Sequence, residues 1–446
     1  MSSRNDTDRL ELPYRILSGD DSDERACQAI PDSACTDVPR NYLLNVANGA
    51  ATKLAEQLAS PGLVLPWVFA AIGAPAVLSG LLMPAKQAGS LLPQIAVAGR
   101  IRAVARRKWV WTAAGAIQAG ILVLIALAAL AFDGWTAGLA ILVLFALFSL
   151  ASGMGSVAFQ DVVGKTIPKG RRGRLLANRA AIGGALTLAV AGVLQISLVD
   201  REQVAITVPL ILAAAVLWLA GAVAFAALRE EAGATSGGRT MISELGHGVS
   251  LFRQVAGFRR YILVRCLMLG VELAMPFYVL HAAAILPAAA PTLALYVFAV
   301  GGANIASSPF WGRFSDTSSR TVLTIAGGIA AAAGLGALGI DLLPEPLRTP
   351  WLYALLFFAL GVAESGVRIG RKTYLVDAAP DDERPLYVAF SNTTVGLVAL
   401  CGGLLGLLAD LTAPLAAVLA TATLAALGMM ASRALPEPAD MFDKST

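Results

Sequence analysis

The sequence predicts an all-α membrane protein of twelve transmembrane helices in two pseudo-symmetric six-helix bundles. Three observations carry that expectation. The 446-residue chain is 57% hydrophobic and only 14% charged, against about 25% charged in soluble proteins. Its apolar residues fall in runs of about 20, enough to cross roughly 30 Å of hydrocarbon at about 1.5 Å per residue. Landmarks in the first half also recur, in register, in the second.

Taken in order, residues 1–40 hold nine Asp/Glu and five Lys/Arg with no apolar core. They read as a polar tail, not a signal peptide. Ten clear apolar segments lie at 109–131, 136–159, 178–199, 204–227, 261–286, 291–311, 321–340, 351–372, 387–409 and 413–433. Region 41–98 is ambiguous: one span at 61–83, or two at 42–60 and 68–98 joined around Pro61, Gly62 and Pro66. Charge placement gives the orientation. Loop 100–108 contains Arg100, Arg102, Arg106, Arg107 and Lys108, and loop 165–179 contains Lys165, Lys169, Arg171, Arg172, Arg174 and Arg179. The intervening loops hold only Arg201 and Arg348. By the positive-inside rule the basic loops are expected in the cytoplasm.

The repeat decides the ambiguous region. GRIRAVARR starts at Gly99 and GRFSDTSSR at Gly312, each with a second Arg seven residues after the first, at Arg107 and Arg320. Further on, Pro168 precedes Arg172 by four residues and Pro380 precedes Arg384 by four. Run backwards, the register pairs Tyr42 with Tyr261, so 42–60 matches a plain membrane span and Lys53 falls opposite Glu272. The stretch NGAATKLAEQ, with Lys53 and Glu56, is therefore expected inside the first membrane helix. The resulting organisation is a tail at 1–40, a six-helix bundle at 41–227, a polar linker at 228–258, a second bundle at 259–434 and a tail at 435–446. Both termini are expected in the cytoplasm, with the chain integral to the plasma (inner) membrane.

Two six-helix halves and the run Gly312-Arg313-Phe-Ser-Asp316 through Arg320 resemble the major facilitator superfamily, whose loop motif has the form G-x-x-x-D-x-x-x-R. The Pro168/Arg172 and Pro380/Arg384 loops are similar to that family's loops after helices 4 and 10. The resemblance covers about 41–434. It departs at Ala103, where the first-half copy would carry Asp, and in helix 5, which has no Gly-Pro pair of the drug–proton antiporter kind. The resemblance implies a secondary transporter with a midplane cavity, lined by helices 1, 4, 7 and 10 and worked by rocking of the halves.

Charge inside a bilayer is expensive, at least about 2.5–3.5 kcal/mol at the centre, so each such residue should face a cavity and a partner. The candidates for a substrate and proton cavity are Lys53, Glu56, Lys86, Arg265, Glu272, Glu364 and Arg368. Lys53 with Glu56, Glu364 with Arg368, and Arg265 with Glu272 have spacings that share a helix face. The repeat suggests a Lys53–Glu272 ion pair across the halves that substrate or proton disrupts, with Glu272 as proton carrier. Static helix-locking pairs are the competing explanation. Four cations against three carboxylates lean toward an anionic or zwitterionic solute. A cytoplasmic gate is expected from Gly312, Arg313, Asp316, Arg320, Arg107, Arg172, Asp377 and Arg384, with basic first-half loops meeting acidic second-half loops on closure.

Other signals point away from different functions. Gly334-Leu-Gly336-Ala-Leu-Gly339 fits a dinucleotide pattern but lies inside an apolar span with no preceding strand. His281 and the scattered Cys residues show no metal spacing. No nucleophile–base arrangement, phosphate loop or nucleotide-binding domain is legible, so neither an enzyme nor direct ATP drive is expected. No cofactor, metal or nucleic-acid partner is expected; the partners are a small solute, a proton and the bilayer, and the chain is expected to be a monomer. The expected function is proton-coupled secondary transport of a small organic solute. The alternatives are a lipid, amphiphile or drug exporter, or a non-transporting receptor or assembly factor of the same fold.

Overall fold

The computed structural model describes residues 2–18, 32–102, 104–168, 171–197, 203–232, 241–286, 290–379 and 384–438, and every structural element among them is helical. In chain order these are α1 (Ser2–Ser18), α2 (Asp32–Cys35), α3 (Val38–Leu58), α4 (Val64–Ala71), α5 (Ala76–Arg102), α6 (Lys108–Ala131), α7 (Gly134–Thr166), α8 (Arg172–Ser197) and α9 (Gln203–Ala226). The second half comprises α10 (Met241–Gln254), α11 (Ala256–Leu267), α12 (Leu269–Glu272), α13 (Met275–Ile285), α14 (Ala290–Asp341), α15 (Pro350–Ala378), α16 (Arg384–Ala399), α17 (Gly402–Leu411) and α18 (Pro414–Arg433). A 3-10 turn at Glu345–Leu347 precedes α15.

Grouped along the chain, the described helices are consistent with twelve crossings in two six-helix halves. Spans 1 to 6 are α3 with α4, then α5, α6, α7, α8 and α9. Span 7 is α11 through α13, interrupted at Met268 and again at residues 273–274 before Pro276. The 52-residue α14 holds spans 8 and 9, parted at Ser318, whose backbone is extended (φ −160°, ψ 97°). Span 10 is α15, span 11 is α16 with α17, and span 12 is α18. Among the described residues nine helical stretches are long and apolar enough by themselves to cross a membrane. The other three crossings are spans 1, 2 and 5, which carry Lys53, Glu56, Lys86 and Arg179. A membrane helix tolerates such charges where they face protein or a water-lined cavity and not lipid.

The first turn is displaced from its expected place. Pro61 and Gly62 do break the helical ladder, since Pro lacks the N–H and cannot continue it. The chain nevertheless runs on into α4, which packs on α9, α13 and α5. The reversal comes at 72–75, where Gly73 takes φ +69°, a conformation that suits glycine. The Gly134 N–H donates to the Ile72 carbonyl at 2.8 Å, joining this turn to the one before α7. So span 1 is longer than 42–60, and residues 61–67 lie within it.

Two further segments depart from a plain polar reading. The tail forms α1, whose Tyr14 packs edge-on against Tyr42 with ring centroids 5.3 Å apart. Its last carbonyls accept from Arg174 (2.8 Å, to Ser18) and Asn178 (2.6 Å, to Leu17). The linker contains α10, which packs on α11 and α16, with Gly248 against the Phe390 ring.

Each half has its own apolar core. Three buried residues of the first half cross over: Met83 clusters with Leu269, Leu273, Val395 and Ala399, and the other two are Leu63 and Trp67. These two sit in the core of the second half, Trp67 edge-on to Tyr296 with centroids 6.3 Å apart.

Candidate functional site

The halves meet along α5 against α16 and α17, α8 against α14, and α4 against α13. At the end away from the basic loops this seam is tight. A Cβ built on Gly406 would lie 2.5 Å from the Val77 Cα, and one on Gly80 would lie 3.1 Å from the Gly406 Cα. Only the absence of side chains lets α5 and α17 approach so closely. Asp410, at the end of α17, crosses the seam: Ala76 N–H donates to its Oδ1 at 2.6 Å and Val77 N–H to its Oδ2 at 2.7 Å. A carboxylate satisfying the first amides of α5 is well placed for both hydrogen bonding and the helix dipole. This closes the far end.

A cavity of about 430 Å³ opens toward the basic-loop half of the seam, lined by Gln87, Ser90, Tyr261, Arg265, Arg371, Lys372, Leu375, Val388 and Asn392. Behind two of these lining residues, and not itself in the lining, lies Glu272, 8% exposed. Its Oε1 is 2.8 Å from Arg371 Nη1 on α15. Gln87 on α5 donates to its Oε2 at 3.0 Å, so the pair is tied across the seam. Arg265, 6% exposed, is held instead by neutral groups. Its Nη1 donates to Ser391 Oγ at 2.8 Å and Asn392 Oδ1 at 3.0 Å, and the Tyr261 hydroxyl lies beside the same guanidinium.

The other candidates form two groups. In the first half Lys53 pairs with Glu56 at 2.7 Å, and Lys86 and Arg179 lie within electrostatic range of that carboxylate. In the second half Arg368 donates to Asn304 Oδ1 at 2.9 Å and to Ser365 Oγ at 3.3 Å. Glu364, half-buried one turn earlier, has no hydrogen-bond or ion-pair partner among the described residues. The expected Lys53–Glu272 pair is not formed. Equivalence by the repeat sets two positions at matching depth in their own halves, and each finds a nearer partner there.

The expected gate residues lie mostly within their own halves. Arg107 pairs with Asp161 on α7, and its backbone N–H donates to Glu230 Oε1 at 3.1 Å. Glu230 is fully buried; it also accepts from Lys108 N–H at 2.8 Å and Lys165 Nζ at 3.1 Å. In the second half Arg320 pairs with Glu437 at 2.7 Å and donates to the Leu435 carbonyl at 3.1 Å. Each half thus clamps the chain just past its sixth helix to the start of its third. Gly312 faces open space, with nothing within 4 Å of a built Cβ, and Arg313 and Asp377 are exposed. The side chains of Asp316, Arg172 and Arg384 lie outside the described residues.

Sequence reasoning passed over Arg371, Lys372, Arg179, Glu230 and Asp410. Arg371 and Lys372 sit three and four residues after Arg368 and look like the start of a loop. The signal was there in the spacing, since Arg371 is seven residues after Glu364 on the same face. Glu230 had a signal too: Ala227-Leu228-Arg229-Glu230 and Ala434-Leu435-Pro436-Glu437 are a third landmark of the repeat. Asp410 had none beyond its place after a glycine-rich span.

The two helical halves thus enclose a polar cavity at their seam. Residues 260–445 match the Major Facilitator Superfamily model. Among curated relatives it is similar to uncharacterized protein Rv2209 of Mycobacterium tuberculosis (strain ATCC 25618 / H37Rv), 26% identical over 404 residues, covering 89% of this chain and 78% of that protein. Uncharacterized protein Mb2232 of Mycobacterium bovis (strain ATCC BAA-935 / AF2122/97) matches with the same figures. Among solved structures, the fold is similar to a D-xylose-proton symporter (12% identity, TM-score 0.65, 89% of this chain and 98% of that one). It is likewise similar to the nucleoside transporter NupG (12% identity, TM-score 0.66, 89% of this chain and 99% of that one).

Proposed function

We propose that the protein is a secondary transporter that moves a small organic solute, anionic or zwitterionic, by alternating access coupled to a proton. The observation that carries this reading is Glu272, buried behind the cavity lining and bonded to Arg371 in its own half and Gln87 in the other. A carboxylate buried this way is stable when ionised only while the guanidinium faces it. Protonation removes its charge, releases Arg371 toward the cavity and weakens the tie to Gln87. One event therefore changes both the charge offered to solute and the bonding between the halves. The positive-inside rule puts the basic-loop end in the cytoplasm, so the cavity described above faces inward and Asp410 closes the outer side. The likeness to a proton symporter supports this reading at the level of fold.

Glu272→Gln tests it. The amide keeps the shape but carries no charge, takes up no proton, and replaces one of the two accepting oxygens with a donor. In proteoliposomes, uptake driven by a proton gradient is expected to fall at least tenfold, while exchange of labelled for unlabelled solute at equal pH continues. Proton-driven uptake at the wild-type rate in this variant would remove Glu272 from the coupling step.

A further inference from the structure

The charges around the cavity do more than favour an anion. Of its lining residues Arg265, Arg371 and Lys372 are cations and none is a carboxylate. Glu272 is committed to Arg371. Glu272 also acts electrostatically on Arg265, yet this one carboxylate faces three cations, which leaves a surplus of two positive charges carried by Arg265 on α11 and Lys372 on α15. The groups that act electrostatically on Lys372 are Arg371, Arg368 and Lys53, all of them cationic. A surplus of charge in a partly desolvated site is unfavourable unless an opposite charge enters.

The geometry at Arg265 also selects the shape of the group it binds. A guanidinium has five donors in a rigid planar fork. Nη1 directs its protons to Ser391 and Asn392, and these bonds fix the ring of donors in place. A guanidinium anchored in this way keeps further donors in its plane, and a pair of them suits a two-oxygen acceptor gripped side-on. Lys372 offers a mobile point charge on a flexible stem, which fits a second acidic group without demanding its orientation. Leu375 and Val388 supply apolar surface for a short carbon body.

We propose that the transported solute is an organic dianion, one carboxylate held side-on by Arg265 and the second acidic group by Lys372. This rests on the transporter reading for the word "transported" but not for the site itself. A zwitterion fits less well, because the cavity lining contains no carboxylate for its ammonium group.

The test uses the full-length purified protein and a matched series: glutarate (two carboxylates), glutaramate (one carboxylate, one amide), glutaramide (neutral) and 5-aminopentanoate (zwitterion), with succinate as a shorter dianion. Binding is read by calorimetric titration. The dianions are expected to bind at least tenfold more tightly than glutaramate, with glutaramide and 5-aminopentanoate weaker still. Lys372→Gln, an exposed position where folding is not at risk, should bring glutarate down to the affinity of glutaramate. Arg265→Gln should cost at least tenfold for every anion, and Arg265→Lys, which keeps the charge but not the side-on edge, should recover only part. Glu345→Gln, exposed and outside the cavity lining, should change nothing. Equal binding of glutaramide or 5-aminopentanoate, no binding by either dianion, or unchanged affinity in Lys372→Gln and Arg265→Gln would overturn the proposal. The two readings fail separately. Dianion binding without flux across a proteoliposome membrane would keep the site and sink the carrier, whereas flux of a neutral solute that ignores Arg265→Gln would keep the carrier and sink the site.

Discussion

Glu230 is the residue whose contribution to stability is easiest to isolate. Its carboxylate is fully buried and takes protons from two backbone amides at the start of α6 and from Lys165. Its repeat counterpart, Glu437, makes one ion pair to Arg320 and is 41% exposed. The same fold position thus appears once desolvated and once in contact with solvent. Removing a buried, multiply bonded charge costs about 3–5 kcal/mol, whereas an exposed pair contributes about 0–1 kcal/mol. Thermal unfolding of Glu230→Ala in detergent should show a clear loss, and Glu437→Ala almost none. Equal shifts in the two variants would mean that burial is not what matters here. At this scale the sequence was only partly legible. The Lys53–Glu56 contact follows from a spacing of three on a helix, because both ends of the pair are set by one local geometry. Arg265's attachment to Ser391 and Asn392 joins spans 7 and 11, and no local pattern reports which helices are neighbours.

At the scale of elements the informative contact is α5 against α17. Three glycines of α17, at 402, 403 and 406, bring its backbone onto α5, and Asp410 then caps α5 across the seam. The cap and the glycines act on the same surface, so weakening either should favour separation of the halves at that end. Spin labels on cysteines introduced at Thr136 and Leu347, which lie at the far end in opposite halves, would read this as a distance. Asp410→Ala and Gly406→Leu should lengthen or broaden it. Asp133→Ala should leave it unchanged, since Asp133 stands at the N-terminus of α7 without a side-chain cap bond. An unaltered distribution in Asp410→Ala would show that the glycine packing alone keeps this end shut. The existence of span 11 was legible from apolar length and that of span 1 only through the repeat; the turn after span 1 was expected around Pro61 to Pro66 and lies at 72–75, and no break was expected in span 11. Pro61 and Gly62 look like a loop in sequence because both disrupt helical hydrogen bonding. Whether the chain then reverses depends on what lies beyond, and here α9, α13 and α5 offer α4 a surface to pack on.

At the scale of the whole molecule, the two-half organisation was legible because the repeat constrains every span at once, while side-chain pairings had no such redundancy. The structure holds one end of the seam closed and a cation-rich cavity toward the other, which is one of the two states that a rocking carrier needs. Among the described residues, Glu272 is the only carboxylate bonded across the seam at that cavity. With Glu272 as the proposed carrier, the cycle moves one proton. On the proposed stoichiometry, a dianion travelling with one proton moves a net charge of minus one at each turnover, so the cycle is electrogenic. A membrane potential of 100 mV, negative inside, would then oppose entry by about 2.3 kcal/mol per turnover and favour exit by the same amount. Imposing a potassium diffusion potential on proteoliposomes with valinomycin, at equal pH on both sides, should slow dianion uptake and accelerate efflux. Rates indifferent to voltage would require a second proton, and with it a second carboxylate, for which Glu364 is the unpartnered group nearest to Arg368 in the chain. The protein's natural direction would in that case be set by the proton gradient and not by the electrical one.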